Sequence, residues 1–113
     1  MGRFFLAAAI AGLAACATPN EPTPHGALER GAALAQNQCS TCHAIGTSGE
    51  SPAPEAPAFR RLSQNYRVAD LEEALAEGIS VGHPAMPQFA FAPEDAEALV
   101  RYLESIQENS APS

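Results

Sequence analysis

The sequence predicts an all-α fold of three main helices in one small domain. Three segments repeat apolar residues at the three-to-four spacing of a helix face. No segment shows the apolar–polar alternation of a half-buried strand. The chain has 113 residues, the size of a single domain. The side-chain set is also thin: aromatics make 6%, Trp is absent, and there are eight Gly and ten Pro. A domain this small with so little bulk needs a disulfide set, a metal or a partner to complete its core. The formal charge of −7 argues against a nucleic-acid binder, which needs a basic face to displace counterions.

The elements follow in order. Residues 1–15 read as a bacterial secretion signal, with Arg3 as the positive n-region and Phe4 to Ala15 as the apolar run. That run is too short for a bilayer span, which takes about 20 residues. Leu13-Ala14-Ala15-Cys16 resembles the lipobox of bacterial lipoproteins, in which the Cys sulfur carries a lipid. A second reading cuts after Ala17, at an A-x-A-like site, and leaves a mature chain starting at Thr18. Residues 16–25 are an expected tether, with three prolines between Thr18 and Pro24. Loss of the leader removes Arg3 and makes the chain one unit more negative.

The domain is expected over residues 26–107. Its first helix, Gly26 to Cys42, sets Ala27, Leu28, Gly31, Leu34 and Ala35 on one face. The next stretch, Ala44 to Ala58, has three Pro, two Gly and no period, so it reads as a loop, with Phe59 and Leu62 as the next apolar anchors. The second helix is expected over Val68 to Glu77, with Leu71, Ala74 and Leu75 aligned and Gly78 as its stop. The third runs from Pro93 to Gln107. Pro93 suits the first helical position, Glu94 and Asp95 suit the dipole, and Ala96, Leu99, Val100, Leu103 and Ile106 form the apolar stripe. Residues 108–113 read as a frayed tail.

The chemistry is carried by Cys39-Ser40-Thr41-Cys42-His43, a C-x-x-C-H pattern. Two cysteines on one helical turn can bond the two vinyl groups on one edge of a porphyrin, and the following His is then held under the iron. A thioredoxin-like pair would sit near a βαβ pattern, which is not visible. A disulfide across the motif leaves His43 unexplained. A zinc site would want a second ligand pair, and only His25 and His83 remain.

A His-ligated iron in an electron carrier wants an opposite ligand. Met86 is the one methionine left after leader removal, and it lies in His83-Pro84-Ala85-Met86-Pro87, too Pro-rich for a helix. A thioether is a soft donor that favours ferrous iron and raises the potential. His83 is the rival ligand, and a His/His pair would lower the potential. A lone Met can also simply fill a core gap. Arg60, Arg61 and Tyr66 gather hydrogen-bond donors that can pair with haem propionates, or can lie in a solvated loop.

With these residues the chain resembles the class I cytochromes c, the mitochondrial-type and small bacterial monohaem carriers. The resemblance spans roughly Gly26 to Gln107. It rests on C-x-x-C-H at Cys39 to His43, on Met86-Pro87, and on Leu99-Val100-Arg101-Tyr102-Leu103. It implies a cytochrome c fold, three main helices wrapped around one covalent haem c. Gly31 would then let the first helix cross the last closely, near Leu99 and Tyr102. Pro57 would offer its carbonyl to the Nδ1–H of His43. Ala35 departs from the family, which often places an aromatic there, so that contact is expected to be weaker or filled by Leu34.

The expected function is one-electron transfer in a periplasmic or membrane-associated chain. Cys39 and Cys42 are the covalent attachment, His43 and Met86 the axial ligands, and Pro57, Arg60 and Tyr66 the supporting contacts. No nucleophile–base pair is apparent, so the reading is a carrier rather than an enzyme. The alternatives are a subunit of a dehydrogenase, oxidase or sulfur-oxidising complex, and a haem sensor or peroxidase with a labile distal ligand. The expected partners are redox proteins with a basic docking face; Glu72, Glu73 and Glu77 are the solvated face of the second helix or, read functionally, the negative surface such a partner would meet. Membrane contact would come through acylated Cys16, and the chain is expected to be a monomer.

Overall fold

The structure, a computed structural model, describes residues 2–5, 7–14, 23–78 and 85–108. Cys16 and His83, the expected lipid site and rival ligand, lie outside the described residues. Three α-helices form the frame: α1 over Pro24–Gln38, α2 over Leu71–Glu77 and α3 over Pro93–Ser105. Two 3-10 segments, Phe59–Gln64 and Val68–Asp70, lie between α1 and α2. No strand occurs among the described residues.

Helix α1 starts two residues earlier than the sequence suggests, inside the expected tether. Pro24 takes the first helical position, where its missing N–H costs nothing, and the Thr23 hydroxyl accepts from Gly26 N at 3.1 Å. The helix also ends earlier, at Gln38. Cys39 is its C-cap, so the expected last turn through Cys42 is a tight bend. The second helix is split. Val68–Asp70 is 3-10 and only Leu71–Glu77 is α-helical, ended by Gly78 in the left-handed conformation (φ 79°). Helix α3 stops at Ser105, with Pro93 first and Glu94 and Asp95 in its first turn.

Helices α1 and α3 make the principal contact of the fold. A Cβ built on Gly31 would lie 2.1 Å from the Ala98 carbonyl oxygen and 2.7 Å from Tyr102 Cβ, so only a glycine permits this approach. Ala27 and Ala35 are buried on the same face, and α3 buries Ala96, Ala98, Leu99, Val100 and Leu103. Leu34 packs at the edge of this cluster beside the buried Ala35. Arg30 of α1 donates to the Asp95 carboxylate across the crossing. That bond, and then the field of the same carboxylate, raises the Arg30 pKa further.

The remaining core residues, Phe59, Leu62 and Val68, come from the 3-10 segments. Helix α2 packs on α3 yet buries no residue; Leu71 and Leu75 are only partly covered. The apolar residues Phe4, Phe5, Ile10 and Leu13 of the N-terminal run are each more than nine-tenths exposed. No helix among the described residues is long and apolar enough to cross a membrane.

Candidate functional site

The end of α1 builds the site. Once the helix stops at Gln38, its last carbonyls are free to fold the next residues back. Cys39 N donates to Ala35 O, and His43 N donates to Cys39 O at 2.9 Å. Cys42 N bonds the same Cys39 carbonyl at 3.2 Å. One turn thus presents Cys39, Cys42 and His43 together. Cys39 is half-buried and Cys42 exposed, and the two are free thiols. Burial pushes the Cys39 thiol up to about 11.

His43 is held from two sides. Its Nδ1 lies 2.7 Å from the Pro57 carbonyl oxygen. A carbonyl only accepts, so Nδ1 carries the proton and Nε2 keeps its lone pair. The Phe59 ring sits 4.9 Å from the imidazole at a 39° tilt. The sequence marked Phe59 only as an apolar anchor. Its contact with His43 comes from the fold, which closes the loop on its own start. Phe59 N donates to Ala44 O, Ala53 N donates to Cys42 O, and Ala44 N donates to the Ser51 hydroxyl.

Met86 is half-buried at a bend that leads into α3. The segment after it is pinned to α2: Phe91 N donates to Leu75 O at 2.9 Å, and Phe89 stacks on Phe91 at 5.3 Å. Gly78, at the other end of the loop, comes close to Phe89, where an added Cβ would lie 3.2 Å from the carbonyl oxygen. Both stems of the Met86 loop therefore sit at the C-terminal end of α2.

Of the residues singled out in the sequence, the structure brings together Cys39, Cys42, His43 and Pro57. The Arg60 side chain is buried, and two of its donors bond inside the protein: Nε to Glu108 Oε1 at 3.0 Å and Nη1 to the Gly49 carbonyl at 2.7 Å, the pairing a buried guanidinium needs. Tyr66 stands 57% exposed just past the 3-10 turn. Glu108, which the sequence placed in the frayed tail, is tied down by the same Arg60, and its backbone N donates to Arg60 O at 2.7 Å.

These residues fit a covalent porphyrin. Two free thiols and one imidazole share a turn, and in the neutral ring the Pro57 bond leaves the lone pair on Nε2. Helix α2 leaves Leu71 and Leu75 only partly covered against the core. Among the described residues no three His, Cys, Asp or Glu side chains converge as a metal cage. Residues 26–103 match the family model described as cytochrome c oxidase, cbb3-type, subunit III. No curated protein and no solved structure matches the chain significantly.

Proposed function

The chain belongs to the family described as cytochrome c oxidase, cbb3-type, subunit III, a c-type cytochrome domain that binds haem c covalently and transfers electrons, and on that premise we propose that it is an exported one-electron carrier with His/Met axial ligation. The carrying observation is the turn after α1, where the Pro57 carbonyl holds Nδ1–H and leaves Nε2 of His43 as the donor. Haem c, when bound, supplies an iron that takes up and releases one electron. Cys39 and Cys42 would hold its porphyrin through thioethers. His43 would ligate its iron through Nε2, and the Pro57 hydrogen bond would make that ring more basic. Met86 would be the second ligand, with Pro87 restricting the backbone that follows it.

The signal-like residues 1–15 and Cys16 support a periplasmic or cell-envelope membrane location, where two lipid chains on Cys16 would anchor the carrier durably. The family description favours an oxidase as the neighbouring redox partner. The exposed Glu72, Glu73 and Glu77 of α2 would meet a basic face on that partner, with association that weakens as salt rises.

The test is made on the exported protein. Its colour should stay with the polypeptide in acidified acetone, because thioethers do not dissociate. The ferric form should show the weak charge-transfer band of a thioether ligand, and the ferrous form should not bind carbon monoxide. Met86→Ala should lose the band and gain carbon monoxide binding. If the unmodified protein lacks the band and binds carbon monoxide readily, the haem sensor or peroxidase reading replaces the carrier.

A further inference from the structure

The C-terminal end of α3 is clasped onto the segment that carries the Pro57 carbonyl. Gln107 uses both ends of its amide. Its Nε2 donates to Phe59 O at 2.7 Å and to Leu103 O at 2.8 Å, and its Oε1 accepts from Ser63 N at 2.8 Å. One step on, Glu108 binds Arg60 through both side chain and backbone, and Arg60 reaches back to the Gly49 carbonyl. These bonds grip the chain on both sides of Pro57, at Gly49 and at Phe59 to Ser63. The segment between Gly49 and Phe59 has no regular structure of its own to hold it. The grip also reaches the second contact of His43, since Phe59 is both the residue held by Gln107 and the ring against the imidazole.

We propose that Gln107 and Arg60 are positioning residues for the iron ligand: by clasping the Gly49–Ser63 segment to the end of α3 they fix the Pro57 carbonyl on Nδ1 of His43 and so set the basicity of the imidazole. This rests on the reading of His43 as the proximal ligand. The physical route is short. A tight Nδ1–H to carbonyl bond gives the ring anionic character, which stabilises ferric over ferrous iron. Loosening the carbonyl weakens that bond and raises the potential. The same loosening exposes the Nδ1 proton to exchange with water.

The experiment uses the mature haem-loaded protein. Gln107→Met keeps the side-chain length, removes the clasp and changes no charge. Arg60→Lys keeps the charge and loses the fork that spans Glu108 and Gly49. Both variants should show a higher midpoint potential than the unmodified protein. Both should exchange the His43 Nδ1 proton faster by roughly three- to tenfold, the factor that corresponds to one net hydrogen bond. Because neither variant alters net charge, a plain electrostatic effect does not imitate this. A folded Gln107→Met or Arg60→Lys protein that melts earlier but keeps the original potential and exchange rate overturns the proposal, since the clasp is then structural only. If instead the unmodified protein carries haem whose iron is not bound to His43, the ligand reading itself fails, and spectroscopy of that protein alone reveals it.

Discussion

Tyr102 shows how one side chain joins two parts of the site's support. Its hydroxyl donates to the Ile45 carbonyl at 2.6 Å, two residues past His43, and its Cβ lies against Gly31. Desolvation raises its pKa above the ordinary tyrosine value. The folded state therefore holds this proton more tightly than the unfolded chain does. The contribution is fully present below the unfolded tyrosine pKa of about 10 and is lost as pH rises through the higher folded value. Stability from urea melts should stay flat in this respect up to about pH 10 and then fall. Tyr102→Phe should cost about 1 kcal/mol at neutral pH through the lost hydrogen bond, and its deficit should shrink on the alkaline side. The tyrosine was visible in the sequence as part of Leu99-Val100-Arg101-Tyr102-Leu103, but its partner was not. A backbone carbonyl 57 residues away has no sequence signature.

At the level of elements, the crossing of α1 and α3 depends on one missing side chain. Gly31→Ala would drive a methyl group into the Ala98 carbonyl, and the obstruction is backbone that cannot turn aside. The helices would have to separate, which should cost about 3 kcal/mol or more, at or beyond the upper end for overpacking. Chemical denaturation of the haem-loaded protein should show this as an earlier midpoint. The turn that presents Cys39, Cys42 and His43 hangs from the end of α1, so the same substitution should also lower the yield of haem-loaded protein. Helix existence and the Pro93 and Gly78 boundaries were legible because caps and apolar period are local signals. The break of α1 at Gln38 and the 3-10 segment over Phe59–Gln64 were not. Both are set by what the chain folds back onto: Cys39 to His43 bend toward the loop, and Phe59 to Ser63 are held by Gln107.

For the whole molecule, the deciding fact is how little apolar bulk the polypeptide buries. Among the described residues, five of the eleven buried apolar residues are alanine, and Leu99 is the one large side chain that is fully enclosed. Alanine buries little area, and hydrophobic stabilisation scales with area at about 25 cal/mol per Å². Leu71, Leu75 and Phe91 are only partly covered, so the polypeptide alone leaves apolar surface unburied. The haem-free chain should therefore be largely unfolded. A poorly dispersed NMR spectrum of Cys39→Ala/Cys42→Ala protein lacking haem is the expected result, and a dispersed one would mean that the helices hold themselves together.

The sequence by itself determined the cofactor chemistry and the kind of fold. The spacing of C-x-x-C-H is a covalent constraint, and the apolar period of each helix is read from neighbours on the same turn. Both signals are local, so they survive without a structure. Only the tertiary structure decided which distant groups would serve the site. It placed Phe59 on the His43 ring, turned Arg60 inward to Glu108 and Gly49, and drew Gln107 back onto the turn over Phe59–Gln64. Such contacts depend on which surfaces meet when the helices close. A donor such as Arg60 has many possible acceptors along the chain, and only the closed fold brings Glu108 and the Gly49 carbonyl within its reach.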